Sequence, residues 1–243
     1  MVTKKEKIIA RALEILKDNP SGNRYSELVR KIQEENPEIP LNTIRNTIVG
    51  PLRKRPDIYQ PDRGFFRIKN IPISKQKIMI TESTKKVKEE DFYKSFADWL
   101  VNEVEECTKA ISLGGTKFKE KWGTPDVIGI REPRKSDIIK PGTEVVSAEI
   151  KIDTGALITA FGQACSYKLF SHKSYIVIPK ESDEEDIARL DALGRIFGIG
   201  LILIDISNPK YPQFEIRVRA AKHEPDMFYV NKYMKIVEDN LFS

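Results

Sequence analysis

Apolar and polar residues recur along this chain in two periods, and the change of period divides it. From Lys4 to Asp18, Ile8, Ile9, Leu13, Ile15 and Leu16 return at helical spacing, which predicts an amphipathic helix. Asn19-Pro20-Ser21-Gly22 supplies turn residues to end it. A second helix is expected over 25–36, with Leu28, Val29 and Ile32 on its apolar side and Ser26 as N-cap. A third is expected over 41–52, with Asn42 as N-cap and Leu41, Ile44, Ile48 and Leu52 on one stripe. Then Asp57-Ile58-Tyr59-Gln60 and Gly64-Phe65-Phe66-Arg67-Ile68 read as a hairpin across Pro61-Asp62-Arg63. A polar connector from Asn70 to Lys88 follows, with Ile78-Met79-Ile80 as a short strand within it.

Beyond it, Glu89 to Thr108 predicts a helix with Phe92, Phe96, Trp99, Leu100 and Val104 on its buried stripe. Ala110 to Gly115, Asp126 to Ile130, Glu144 to Ile152, Ser174 to Pro179 and Leu201 to Ile206 read as strands. Helices over 155–170 and 182–197 lie between the later ones, a strand-helix alternation that predicts an α/β arrangement. The alternating run 214–219 and a helix over 223–242 close the chain.

One strand carries the chemistry. Alternate residues of a strand face opposite sides. Val146, Ala148, Ile150 and Ile152 therefore share an apolar face, and Glu149, Lys151 and Asp153 share the other with Val145 and Ser147. Apolar neighbours make this an inner strand, where an unpaired carboxylate and ammonium are costly. Glu149 and Lys151, beside Asp126 from the preceding strand, are thus expected to form a polar site. Two carboxylates can hold a hard divalent cation. Such a cation polarises a phosphodiester, and a lysine can stabilise the developing charge.

Pro125-Asp126 followed by Glu149-Ile150-Lys151 resembles the signature of the PD-(D/E)XK nucleases, the restriction-endonuclease-like fold, and the likeness extends over roughly residues 89–206. The resemblance implies a mixed sheet flanked by helices and a DNA endonuclease using Mg²⁺, with Mn²⁺ able to substitute. In that role Asp126, Glu149 and the carbonyl of Ile150 hold the metal, and Lys151 orients the attacking water. In-line attack on phosphorus then leaves a 5′-phosphate and a 3′-hydroxyl. Many of these folds carry an extra acid on the first helix, for which Glu90 is the candidate and Glu103 the rival. Gln163 and Tyr167, four apart on one helical face, match the Gln-x-x-x-Tyr of RecB-type members and make Gln163 a further catalytic candidate. Restriction enzymes of this superfamily mostly act as dimers, so a homodimer is implied. Lys117, Lys119 and Lys121 precede the site and either touch a phosphate backbone or coat a loop, and Trp122-Gly123, directly before the site, is a candidate for the core.

Three helices and a hairpin within residues 4–69 resemble a winged helix-turn-helix. The likeness implies that Thr43, Arg45 and Asn46 face base edges and that Arg53, Lys54, Arg55, Arg63 and Arg67 serve phosphates of duplex DNA. The expected organisation is a winged-helix domain over 1–75 and a nuclease domain over 76–243, α/β (α+β overall).

Charge agrees with this division. Residues 1–80 hold 17 Lys/Arg against 9 Asp/Glu, and the remainder 24 against 27, so the basic excess lies where phosphate contact is expected. Two cysteines make no disulfide framework and two lone histidines no zinc site. The longest apolar run, Ile199 to Ile204, is too short to span a bilayer, and the first residues lack the apolar core of a signal peptide. The expectation is an intracellular, cytoplasmic protein of prokaryotic type without membrane contact or small-molecule cofactor. On this reading it is a type II-like restriction endonuclease, or a junction or repair nuclease on the same fold. A DNA-binding protein whose nuclease site is inactive is the remaining class.

Overall fold

The computed structural model describes residues 3–19, 22–60, 64–69, 87–209 and 212–242. Arg63, the hairpin turn and the connector segment including Ile78-Met79-Ile80 lie outside them. The chain divides into two compact units, Met1–Lys86 and Val87–Ser243.

In the first unit, helix α1 (Lys4–Asp18) opens on a capping box in which Thr3 and Glu6 satisfy each other's backbone N–H groups. A two-residue strand β1 (Asn23–Arg24), absent from the sequence expectation, precedes helix α2 (Tyr25–Glu35). The α2 N-cap is Arg24 and makes no side-chain cap; Ser26 lies inside the helix, buried. Helix α3 (Leu41–Thr47) likewise starts after Pro40, not on an Asn42 cap. Its continuation, Ile48–Leu52, widens into a π turn that accommodates Pro51, a residue unable to donate the regular helical bond. Strands β2 (Ile58–Tyr59) and β3 (Phe65–Ile68) pair antiparallel, and β1 adds to the other edge of β3. Ile8, Leu16, Leu28, Ile32, Ile44, Ile48 and Phe66 meet in one buried cluster.

The second unit is a six-stranded mixed sheet. Helix α4 (Glu90–Asn102) leads into β4 (Lys109–Ser112), β5 (Val127–Arg131) and β6 (Glu144–Ile150). Helix α5 (Leu157–Tyr167), strand β7 (Lys173–Pro179), helix α6 (Glu184–Phe197), strand β8 (Gly200–Asp205) and strand β9 (Gln213–Val218) follow. The strands stand in chain order; β6, β7 and β8 are mutually parallel, and the other pairings are antiparallel. Helix α4 ends six residues before its expected limit. Past Asn102 the chain turns through Glu105, at φ 53°, to deliver Cys107 into the core. The C-terminal segment is helical from Met227 to Leu241, as α7 (Met227–Met234), a 3-10 turn (Lys235–Val237) and α8 (Glu238–Leu241), and starts four residues later than expected.

Every residue of β6 is buried, as an inner strand requires. Val146, Ala148 and Ile150 face Phe92, Phe96 and Leu100 of α4. On the other face, Val145 packs with Tyr167, Phe170, Tyr233 and Met234, and α5 and α6 cover Ile176, Ile178 and Leu201. The sheet is thus sandwiched between α4 and the α5–α6–α7 layer. Among the described residues, no helix is long and apolar enough to cross a membrane.

Candidate active site

Asp126 stands just ahead of β5, and its backbone N–H already pairs with the carbonyl of Ala148 on β6 at 3.0 Å. The antiparallel register sets Val127 opposite Ala148, which brings Asp126 to the end of β6 beside Glu149. Its carboxylate Oδ2 accepts the Ile150 N–H at 2.7 Å. The side chain therefore completes the ladder where the backbone of β5 no longer reaches. Asp126 is 7% exposed and Glu149 6%.

Each carboxylate has a phenol donor. Tyr167 Oη donates to Glu149 Oε2 at 2.7 Å, and Tyr93 on α4 hydrogen-bonds Asp126. Burial raises the Asp126 carboxyl above its usual range, against the lowering effect of Tyr93 and the Ile150 N–H. Glu149 is raised by burial first and by the Asp126 charge second. Both tyrosines are held well above the ordinary phenol range by burial, so they remain protonated donors.

Lys151 is fixed from α4. Its Nζ lies 3.0 Å from Glu89 Oε1 and 3.2 Å from Oε2, and the Ile152 N–H donates to Oε1 at 3.4 Å. The Glu89 bond, the largest influence, raises the Lys151 pKa, so the group is an ammonium. It is a fixed positive charge beside two buried carboxylates, suited to stabilising negative charge and not to accepting a proton.

The helix acid that reaches the site is thus Glu89, not Glu90. Glu90 is exposed, and Glu103 caps the far end of α4. Spacing carries the reason: Glu89 lies three and seven residues before Phe92 and Phe96, on the buried stripe, whereas Glu90 is rotated off it. Tyr93, four residues after Glu89, shares that side and was also missed. Its ring runs across Gly114, at φ 60°, where a Cβ would come within 2.8 Å. Gln163 hydrogen-bonds the Tyr167 hydroxyl, so it reaches Glu149 through that phenol. Trp122 is not core: its side chain is 72% exposed.

Oxygen donors dominate the site, and hard divalent cations select oxygen; Mg²⁺ typically uses only one or two carboxylates and keeps several waters. Burial raises both acids, and a bound cation would favour their charged forms. Asp126 and Glu149 therefore fit Mg²⁺. No group of three His, Cys, Asp or Glu side chains able to hold a metal occurs among the described residues, so a closed protein cage is absent there.

In the first unit, Arg53, Lys54 and Asn46 are exposed; Thr43, Arg45 and Arg67 are partly buried. Arg55 is taken up by Asp57 in two parallel bonds of 2.8 Å, which withdraws it from the set offered to phosphates. Compared with protein-family models, with curated proteins and with solved structures, the chain matches none.

Proposed function

We propose that the second unit is a Mg²⁺-dependent DNA endonuclease of the PD-(D/E)XK kind and that the first is a winged helix that binds duplex DNA. The observation that carries this reading is the buried Asp126–Glu149 pair with the ammonium of Lys151 fixed beside it. A fold that buries two mutually repelling carboxylates without function loses stability at neutral pH.

Asp126, Glu149 and the Ile150 carbonyl would hold Mg²⁺, which would supply Lewis-acid polarisation of the phosphodiester. Tyr93 and Tyr167 hold one carboxylate each, leaving the remaining carboxylate oxygens as donors. Lys151 stabilises charge on the phosphate as the nucleophile adds and orients the attacking water. Glu89 positions that ammonium. Gln163 acts on the site through Tyr167. Hydrolysis of both strands of a duplex would take two copies of the chain.

The test is digestion of mixed plasmid and phage DNA with Mg²⁺ or with EDTA, with Lys151→Ala alongside. Discrete Mg²⁺-dependent bands lost in the variant support a sequence-specific endonuclease. Nicking or smearing supports a nuclease that reads DNA shape. A salt-sensitive gel shift with no cleavage of methylated or unmethylated DNA refutes the enzyme and leaves a DNA-binding protein.

A further inference from the structure

We propose that the indole of Trp122 stacks on an unpaired nucleobase, so that the carboxylate site works where a DNA strand is single or opened. This rests on the nuclease reading and names the substrate class of that same site.

The two tryptophans of the chain have opposite fates. Trp99 is 4% exposed and packs against Phe96 and Phe214. Trp122 leaves its indole in solvent, although a tryptophan is among the largest apolar surfaces a fold can bury. The loop presenting it is pinned. Phe118 stacks on Tyr233 with centroids 4.7 Å apart and meets Phe170 edge-on at 5.7 Å. The Phe118 N–H donates to Thr124 Oγ1 at 3.1 Å, and Glu120 accepts from both Lys232 and Tyr233. With residues 118 and 120 drawn inward, Lys117, Lys119, Lys121 and Trp122 all face solvent. Three ammonium groups and an indole on an anchored loop combine a phosphate-tracking charge with a stacking surface, the pair of features that holds single strands.

The loop also runs into the catalytic groups. Gly123, at φ 89°, passes so close to Tyr167 that a Cβ there would lie 3.2 Å from the hydroxyl and 3.5 Å from Gln163 Nε2. That hydroxyl is the one bonded to Glu149. A base on Trp122 therefore lies one residue from backbone touching the group that holds a site carboxylate. In an intact duplex both faces of an internal base are covered by its neighbours, so stacking on a side chain needs a base that is unpaired or extruded.

The experiment uses the full chain in EDTA, so that binding is read without cleavage. Three labelled DNAs are compared: a blunt duplex, the same duplex with a single-stranded overhang, and the single strand. Affinity is read by anisotropy and stacking by tryptophan emission; Trp99 is buried, so the quenchable signal belongs to Trp122. The overhang and the single strand should quench emission. Trp122→Ala should weaken their binding by about 5-fold to about 100-fold, and Trp122→Phe should restore most of it, with blunt-duplex affinity unchanged by either. Equal quenching by blunt duplex and single strand, or Trp122→Ala binding all three DNAs as wild type does, overturns the proposal. Failure of wild type to cleave any of these DNAs in Mg²⁺ sinks the nuclease reading separately, because the base contact is measured without metal.

Discussion

Neutralising Glu149 should stabilise the second unit, and increasingly so as pH rises. In the native state Glu149 and Asp126 are buried together, and each is raised above its ordinary range. The native state therefore holds protons that the unfolded chain has released, and stability falls as pH rises from about 4 through the raised native values. Glu149 is pushed up to about 8. That lies roughly 3.5 pH units above an unburied glutamate, and at about 1.4 kcal/mol per unit the cost at alkaline pH is about 5 kcal/mol. Glu149→Gln removes that charge, while the amide oxygen still accepts from Tyr167. For a unit of this size the gain corresponds to about 10–20 °C in Tm at pH 8.5, shrinking towards zero at pH 4.5. Both tryptophans of the chain, Trp99 and Trp122, lie in the second unit, so thermal unfolding followed by their emission reports that unit alone. Mg²⁺ should raise the Tm of wild type by mass action and leave Glu149→Gln nearly unmoved. A wild-type Tm that is flat from pH 5 to 8.5, or a variant destabilised at both extremes, would refute the buried-pair reasoning.

Lys151→Ala should abolish cleavage in a plasmid-nicking assay while changing DNA affinity less than about threefold, and its stability cost should stay near 1 kcal/mol because the pair with Glu89 is partly solvated. Tyr167→Phe strips a buried charged acceptor of its donor and should cost about 1–3 kcal/mol in chemical denaturation. Since the phenol favours ionised Glu149, that loss should grow with pH. In the first unit, replacing Arg53 and Lys54 together by Ala should reduce the salt slope of duplex binding, log Kobs against log salt, by about 1.8. Arg55→Ala should change that slope by well under the roughly 0.9 expected of one full phosphate contact, because Asp57 already neutralises the guanidinium; a change of about 0.9 would refute the distinction.

The sheet was legible because its signal is redundant. Residues 144–150 are buried throughout, and the apolar positions of β5, β7 and β8 repeat the same message. Helix ends were less legible, since they depend on a few backbone groups. Ser26 and Asn42 are suitable N-cap types, yet α2 and α3 begin at Tyr25 and Leu41, after Arg24 and Pro40. The early end of α4 is set by tertiary packing, Cys107 being drawn under β5 where Gly129 leaves room for its sulfur. Strand β1 is two residues long and exists only because β3 offers it an edge; no periodicity can announce it.

Within the site, the residues that alternate on a strand were recoverable and the residues that support them were not. Glu149 and Lys151 stand out because a charge on an inner strand contradicts its surroundings. Glu89 and Tyr93 contradict nothing, since an acid at a helix start and a tyrosine on an apolar stripe are each ordinary. Reading the α4 stripe by angle, from Phe92 and Phe96 back by three and seven residues, would have selected Glu89 over its neighbour. Counting four residues on from Glu89 reaches Tyr93, but its contact with Asp126 also needs Gly114 to let the ring pass. Trp122 failed in the opposite sense. A tryptophan next to a buried site reads as core on hydrophobicity alone, but Phe118 four residues earlier already fills the space against Tyr233 and Phe170. The loop then has only one outward course, and the lysines at 117, 119 and 121 mark which side that is.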